Sequence, residues 1–304
     1  MPCNVIPVKR VSRKPGQGSP AVDGILLLDK AVGLSSNKAL QQVKRLFHAS
    51  KAGHTGSLDP LASGLLPVCF GEATKLSQYL IDADKRYRST FKLGQATTTG
   101  DIEGEVIQAA PVNITEQLLI DVLEDFTGPI EQVPPMYSAL KKDGQPLYKL
   151  ARKGIEVDRP ARQVEVYGLA LVDFHKDEVV LDIHCSKGFY VRSLAIDMGA
   201  KLGCGAHVTE LRRTAVGKFK IDDAHAIADL EKLDDSQRMS LLLPVTDGLY
   251  NLPRANIGKP SVKDFRQGKI VALTRPENEG ITAIYEENGS FIGIGEVTSH
   301  GEVR

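Results

Sequence analysis

A short loop, Gly53-His-Thr-Gly-Ser-Leu-Asp-Pro60, combines glycines, hydroxyl side chains, a histidine and one carboxylate. Gly53 and Gly56 permit backbone angles and close approaches that other residues resist. Pro60 pushes the backbone of Asp59 towards extended conformations. We therefore expect the Asp59 carboxylate on a bent, non-helical segment, where it can point into a cleft as a nucleophile or an electrostatic stabiliser. The loop alone leaves open a solvated carboxylate in an ordinary Asp-Pro turn.

A second segment, Gly188-Phe-Tyr-Val-Arg-Ser193, places Tyr190 and Arg192 in or near the first turn of a predicted helix. The positive end of a helix and a planar guanidinium together suit a carboxylate or a phosphate. An arginine paired on the surface is the alternative, and such a pair contributes little to stability.

Two arginines flank Tyr87 in a segment whose alternation is typical of a strand. An aromatic ring beside cationic side chains suits stacking on a base and binding of a phosphate. The alternative is a strand with Tyr87 in the core and Arg86 and Arg88 in water.

The sequence predicts no metal and no cofactor. The cysteines form no CxxC pair and have no histidine cluster at zinc spacing, so reduced thiols of a cytoplasmic protein are expected. Gly203-Cys-Gly205 lacks the rest of a dinucleotide fingerprint, and the chain contains neither a phosphate-binding P-loop nor a nucleophile elbow.

The elements that must position these residues are short and mixed in type. Strands are predicted at 24–30, 65–70, 85–93, 162–174, 178–185 and 208–216, and helices at 35–47, 73–81, 115–126 and 190–203. This order is too irregular for a doubly wound parallel sheet and favours a mixed α+β fold. From about residue 254, a helix at 261–267 and three short strands, at 270–273, 281–285 and 291–297, predict a small β-rich appendage.

Bulk composition bounds the class of protein. The chain has 304 residues, 42% hydrophobic and 25% charged, values typical of globular proteins with one large and one small domain. No apolar run approaches the ~20 residues that a membrane span requires, and the N-terminus has no apolar signal core. A membrane protein and a secreted protein are therefore not expected.

Charge is segregated along a chain whose net charge is zero. Residues 1–60 carry nine Lys or Arg against three Asp or Glu, residues 97–131 carry eight acids and no Lys or Arg, and residues 134–162 carry seven bases against three acids. Such segregation can build a basic face on a neutral protein, although solvated helix faces would explain it as well. Residues 1–20, basic among Pro, Gly and Ser, predict a mobile arm.

The segments, taken in order, resemble the bacterial TruB family of tRNA pseudouridine-55 synthases. The resemblance is carried by Gly24-Ile-Leu-Leu-Leu-Asp-Lys30 with Gly33-Leu-Ser-Ser36, the loop 53–67, Lys85-Arg-Tyr87 with Gly94 to Gly104, Pro134-Pro-Met-Tyr-Ser-Ala139, Ser186-Lys-Gly-Phe-Tyr-Val-Arg192 and Leu211-Arg-Arg213. Ala31 and Phe189 depart from the family, which usually has Pro and often Thr at these positions.

The resemblance implies a site and a reaction: isomerisation of uridine 55 in the tRNA T-arm through a flipped nucleotide, without a cofactor. It implies an essential carboxylate at Asp59, a base-stacking and proton-handling Tyr87, Arg192 paired with the aspartate, His54 holding the flipped region, pocket positions at Tyr190 and Leu211, and Lys30 supporting the site. An arginine beside Asp59 is expected to favour its ionised form.

The resemblance also implies an architecture and a partner. It implies a pseudouridine synthase fold with a mixed, largely antiparallel sheet over 21–250, an RNA-clamping thumb at 134–160 and a PUA-like RNA-binding domain at 251–304. The tRNA T-arm stem-loop is the expected partner of a monomer that needs no other protein. Rival hypotheses are a synthase that acts on another RNA or with a guide RNA, an RNA-binding chaperone in which Asp59 is structural, and a metal-dependent hydrolase.

Overall fold

The computed structural model describes residues 22–275 and 278–304, so the predicted basic arm at 1–20 lies outside the described residues. Their contacts divide them into two compact units, 22–243 and 244–304. The domain bounds inferred from the sequence, including the one between residues 250 and 251, stay predictions. In the described ranges, no helix combines the length and the apolar character that crossing a membrane would take.

The larger unit is built on a mixed sheet. Its strands are β1 Gly24–Lys30, β2 Ala52–His54, β3 Ser63–Phe70, β4 Lys85–Leu93, β5 Gln95–Thr97, β6 Val106–Ala109, β7 Gly128–Gln132, β8 Lys141–Lys142, β9 Gln145–Pro146, β10 Arg162–His175, β11 Glu178–Cys185, β12 Ala206–Val216, β13 Phe219–Lys220 and β14 His225–Ala226. The main sheet runs β14-β1-β3-β12-β4-β11-β10-β7. Only the β1–β14 and β3–β12 pairings along this order are parallel, so the predicted mixed, largely antiparallel sheet is confirmed.

Two helices begin within segments that carry the family resemblance, at Ser36 and at Val191. The helices of this unit are α1 Ser36–Leu46, α2 Ser77–Ile81, α3 Glu116–Glu124, α4 Leu147–Ala151, α5 Val191–Lys201, α6 Ile227–Leu230 and α7 Asp235–Ser240. Helix α1 begins where the Ser35 side chain accepts a hydrogen bond from Lys38 N. Helix α5 packs on β12 and β4 through an apolar face that includes Leu194 and Met198. Both helices therefore begin at fixed points beside the sheet.

The helix predicted over 73–81 is wrong in extent. A 3-10 helix occupies Gly71–Lys75, and α2 covers only Ser77–Ile81. The hydroxyls of Thr74 and Ser77 donate to main-chain carbonyls three residues back. These local bonds compete with a regular helical ladder, which explains the break between the two turns.

The segment 134–160 leaves the main sheet, as its composition indicated. Strands β8 and β9 form a two-stranded hairpin, and α4 follows at once. Asp143 and Gly144 have φ of 51° and 78°, the pair of positive angles that a tight hairpin turn requires.

The smaller unit is β-rich, as predicted. Its sheet runs β15-β17-β18-β19-β16, with strands β15 Arg254–Ile257, β16 Val271–Ala272, β17 Gly280–Glu286, β18 Phe291–Val297 and β19 Glu302–Val303, and α8 spans Val262–Arg266. Phe265, Ile284 and Val303 belong to its own apolar core. Strands β15 and β19 were not predicted, because four-residue and two-residue strands show too little alternation to be recognised.

Candidate active site

Asp59 lies on the loop between β2 and β3, outside any helix or strand. Gly56 and Gly64 bracket this loop with φ of 118° and 104°, values that L side chains rarely adopt. At Gly64 an added Cβ would lie 2.3 Å from the main-chain oxygen of Arg213. The glycines therefore allow the loop to bend sharply against the neighbouring strand β12.

Arg192, in the first turn of α5, faces the Asp59 carboxylate. Its Nη2 lies 2.7 Å from Oδ2 of Asp59, and its Nε lies 3.5 Å from Oδ2 of Asp101. The same guanidinium donates to the main-chain oxygens of Tyr137, at 2.7 Å, and Thr99, at 3.4 Å. Four oxygens on three segments thus surround one planar group, and these segments, distant in sequence, meet at Arg192.

A cleft of about 670 Å³ opens at this pair. Its walls include Asp59, Arg192 and residues from two further segments: Thr98, Thr99, Asp101, Glu103, Gly104 and Glu105, and Tyr137, Ser138, Ala139, Tyr148 and Arg152 of the 134–160 excursion. The other predicted site residues, Tyr87, His54, Tyr190, Leu211 and Lys30, are not among the described residues that line it. The Asp59–Arg192 pair and the excursion therefore share one concavity.

Burial raises the pKa of Asp59 above its usual value, whereas the Arg192 guanidinium, with a smaller effect, lowers that pKa. The nearby Asp101 carboxylate adds to the rise, and Lys30 opposes it. The sequence-based expectation that an arginine beside Asp59 favours its ionised form agrees with the direction of this effect of Arg192. Arg192 does favour ionisation, but loss of water around the carboxylate has the larger effect.

Tyr87 is half-buried on β4, with its ring packed against the main core. Burial raises the pKa of its phenol, and the Arg213 side chain, hydrogen-bonded to that phenol, opposes the rise. Arg213 is 1% exposed and donates to the main-chain oxygens of Leu65 at 2.7 Å and Gly56 at 3.2 Å. One buried cation thus connects Tyr87 to both ends of the Asp59 loop.

Lys30 and His54 contribute buried polar groups near this cation. The Lys30 ammonium donates to the main-chain oxygens of Ala31 at 2.9 Å and Leu34 at 2.7 Å, and burial lowers its pKa to about 8. Burial and the charge of Arg213 also lower the pKa of His54. Nδ1 of His54 is buried and has no hydrogen-bond partner among the described residues.

Tyr190 and Leu211 lie on two different elements, at the start of α5 and on β12. Tyr190 immediately precedes α5, and the Gln132 side chain accepts from its N–H at 3.0 Å and donates to its carbonyl at 3.3 Å. Leu211 is buried on β12, two residues before Arg213, opposite Ser89 of β4. The structure therefore brings Leu211 close to the Tyr87 strand, but in the core rather than in the cleft.

Sequence reasoning gave no site role to Asp101, Arg213 or Gln132. Asp101 accepts from the Thr99 hydroxyl at 2.5 Å and from Glu103 N at 3.1 Å, and is as buried as Arg192. A buried charge needs a partner, but the sequence does not show that Asp101 is buried, so it gave no signal for this residue. Nothing in the sequence distinguishes buried Arg213 from the neighbouring, surface-paired Arg212.

The described residues contain no group of three or more His, Cys, Asp or Glu side chains placed to hold a metal ion. The chemistry available at the pair is that of a carboxylate held by a fixed cation beside an open cleft. Such a carboxylate can act as a nucleophile, a base or a stabiliser of positive charge.

Three family models match consecutive parts of the chain. Residues 44–191 match the TruB family pseudouridylate synthase N-terminal domain, 192–249 match the tRNA pseudouridylate synthase B C-terminal domain, and 253–304 match the C-terminal region of pseudouridine synthase II TruB. All the predicted site residues except Lys30 lie within these matches.

Relatives and solved structures agree with these matches. The chain is 47% identical over 295 residues to tRNA pseudouridine synthase B of Methylobacillus flagellatus, covering 97% of this chain and 95% of that one. It is 51% identical over 280 residues to the protein of the same name from Aromatoleum aromaticum, covering 92% and 90%. A chain in the crystal structure of a Cbf5-Nop10-Gar1 complex has a TM-score of 0.71 at 26% identity, covering 91% of this chain and 79% of that one.

The family models together cover most of the chain, and relatives near 50% identity extend over more than nine-tenths of it. The fold, with its mixed sheet and β-rich C-terminal unit, is that of the same enzymes. The chain belongs to the TruB family of pseudouridine synthases, isomerases that convert uridine to pseudouridine.

Proposed function

We propose that this enzyme isomerises uridine 55 in the T-arm of tRNA, with Asp59 as the catalytic carboxylate. The names of the relatives, tRNA pseudouridine synthase B, support tRNA as the substrate class. In this reaction the bond between C1′ and N1 breaks and a bond between C1′ and C5 forms. N1 gains a proton and C5 loses one, so the product is an isomer and no electrons are exchanged.

The observation that carries the proposal is the Asp59–Arg192 pair at the wall of the cleft. The carboxylate and the guanidinium are 2.7 Å apart, and the cleft of about 670 Å³ has the size of sites that hold small ligands, about 300–1,000 Å³. A detached uracil must be retained between the two bond changes, and a cleft of this size can hold it.

The carboxylate has three routes to this chemistry. It can attack C1′ of the sugar, attack the uracil ring, or remove a proton from the sugar. Each route uses ionised Asp59, and each places Arg192 where it stabilises that ionised form. The three routes therefore share the requirement that Arg192 be held against Asp59.

Access to the base requires that the nucleotide leave the stack of the RNA loop, at a cost of a few kcal/mol. In this proposal Tyr87 stacks on the extruded base, which returns about 1–3 kcal/mol. Tyr190 and His54 contribute to the nucleotide pocket, Leu211 packs behind it in the core, and Lys30 supports the Asp59 loop from behind. Phosphate contacts from the basic residues of the thumb at 134–160 and from the domain at 251–304 offset the remaining cost.

A guide-dependent synthase is the second candidate, because the structural likeness includes a chain from the H/ACA RNP bound to a substrate RNA, at 25% identity and a TM-score of 0.69. The identity to the tRNA enzymes is about twice as high. We therefore propose a monomer that recognises the T-arm stem-loop without a guide RNA or a protein partner.

The test is release of tritium from an unmodified tRNA transcript labelled at uridine C5. The purified enzyme alone should release the tritium of one uridine, and a transcript with cytidine at position 55 should release none. Asp59→Asn should abolish release and retain tRNA binding. Release that requires added guide RNA would favour the second candidate, and normal turnover by Asp59→Asn would exclude Asp59 as the catalytic group.

A further inference from the structure

Ser36 makes an unusual pair of hydrogen bonds to the residue before Asp59. Its hydroxyl accepts from the main-chain N–H of Leu58 at 2.7 Å and donates to the main-chain oxygen of the same residue at 2.9 Å. Ser36 is only 4% exposed. One buried hydroxyl thus satisfies both main-chain polar groups of Leu58.

Helix α1 does not need this hydroxyl for its own capping. The Ser35 side chain supplies the N-cap bond by accepting from Lys38 N at 3.2 Å. Ser36, the first helical residue, directs its side chain to a partner 22 positions away. The bonds therefore serve the Asp59 loop rather than the helix.

The loop has few other anchors at this point. The residue after Asp59 is held from the other side, where Gly33 N donates to the main-chain oxygen of Pro60 at 2.7 Å. Leu58 is only 5% exposed, so its main-chain polar groups need partners within the protein. With both neighbours of Asp59 bound to the start of α1 and the preceding turn, the carboxylate itself stays free to meet Arg192.

We infer that Ser36 is a positioning residue for the isomerisation, which holds the Asp59 carboxylate against Arg192 by fixing both peptide groups of Leu58. The inference rests on the proposed function of Asp59. A group that touches neither substrate nor reacting atoms can matter this much because a misplacement of about 1 Å costs on the order of a hundredfold in rate.

The test compares Ser36→Ala, which removes the hydroxyl, with Ser36→Thr, which keeps it. The readouts are the single-turnover rate of tritium release, the dissociation constant for tRNA and the acid limb of the pH–rate profile. We expect Ser36→Ala to lose on the order of tenfold or more in single-turnover rate at unchanged tRNA affinity. Its acid limb should move to higher pH, because an Asp59 carboxylate farther from Arg192 is less stabilised in its ionised form. Ser36→Thr should restore both rate and pH profile.

Thr115→Ala is the matched control for a lost hydroxyl. The Thr115 side chain accepts from Leu118 N at 3.2 Å at the start of α3, and it does not line the cleft. This variant should lose stability without any change in single-turnover rate. A rate for folded Ser36→Ala equal to that of the native enzyme, or a loss equally present in Ser36→Thr, would overturn the inference.

Two further comparisons keep the test decisive. If Ser36→Ala is too unstable to assay, Ser36→Cys replaces the hydroxyl by a weak thiol donor of similar size, and a rate equal to that of Ser36→Thr would equally overturn the inference. The native enzyme and Asp59→Asn run in the same assay, so a failure of the proposed function would show as an inactive native enzyme or an active Asp59→Asn.

Discussion

Arg192 and Asp59 form an ion pair whose two members differ sharply in exposure: the side chain of the arginine is 4% exposed and that of the aspartate is 38% exposed. The Arg192 guanidinium thus lies in the protein interior, and the Asp59 carboxylate is the member of the pair that is exposed to the cleft. A cation that is already oriented needs no rearrangement when charge develops on a substrate, which is the condition for effective electrostatic stabilisation.

The first prediction concerns Arg192→Lys. A lysine keeps the charge but cannot reproduce a planar fork with several directed bonds. We expect the single-turnover rate to fall by about 10²-fold or more. Burial already raises the pKa of Asp59, and weakening the arginine that opposes this effect raises the pKa further. The ionised form is then lost at a higher pH, so the acid limb of the pH–rate profile should move upward.

Arg238→Lys is a suitable control for this change. Arg238 pairs with Asp235 at 2.6 Å and donates to two main-chain oxygens of 230 and 233, so it resembles Arg192 in its bonding but lies on α7. Its substitution should lower stability and leave the pH–rate profile where it was. An unmoved acid limb in Arg192→Lys would show that Arg192 does not set the ionisation of Asp59.

The second prediction is a shift in the opposite direction for Asp101→Asn. The Asp101 carboxylate raises the pKa of Asp59, so a neutral amide at this position should move the acid limb to lower pH. The rate at neutral pH should still fall, by about tenfold, because Arg192 loses a charged partner that helps to orient it. The profile of tritium release against pH measures both effects, and an upward shift would contradict the electrostatic assignment.

The residues that could be predicted from the sequence are those whose position follows from local rules. Asp59 before Pro60 and Arg192 in the first turn of a helix are local features, and the structure brings them together. Asp101 and Arg213 enter through tertiary packing, which no local pattern encodes. The alternation of β12 does not show which of Arg212 and Arg213 turns inward. The effect of Arg192 on the ionisation of Asp59 could be predicted from the sequence, but the larger effect of lost water around the carboxylate could not, because it depends on tertiary burial.

The third prediction is a pH dependence of stability that resides in Lys30. Its pKa is about 8 in the folded protein, against 10.5 for an ordinary lysine. Between these values the unfolded chain binds more protons, so this lysine makes stability rise with pH, on the order of 1 kcal/mol per pH unit. The free energy of unfolding, measured with urea between pH 8 and 10.5, should rise less steeply with pH in Lys30→Met than in the native protein.

Lys85 provides an internal comparison for this effect. Burial lowers its pKa to about 8 as well, and its ammonium likewise donates to two main-chain oxygens. Lys85→Met should reduce the pH dependence of the free energy of unfolding to a similar degree, and the double variant should reduce it further. A native-like slope in Lys30→Met would mean that its ammonium does not titrate in this window.

The fourth prediction separates two glycines at the ends of the Asp59 loop. Gly64 has φ of 104°, and an added Cβ would lie 2.3 Å from the oxygen and 2.7 Å from the nitrogen of the Arg213 main chain. Gly53 has no heavy atom within 4 Å of the same position. Gly64→Ala should therefore cost at least about 2 kcal/mol in free energy of unfolding, from backbone strain and overpacking together.

Gly53→Ala should stay within about 0.5 kcal/mol of the native protein, as substitutions in open space usually do. The difference has a consequence for activity, because relief of the clash at Gly64 requires that β3 and β12 separate where Arg213 binds the Leu65 and Gly56 carbonyls. Gly64→Ala should thus lose activity even at temperatures where it is fully folded. Denaturant unfolding and single-turnover tritium release, measured on both variants, test this prediction. Equal free energies of unfolding for the two variants would show that strand β3 accommodates a Cβ at Gly64 without loss of stability.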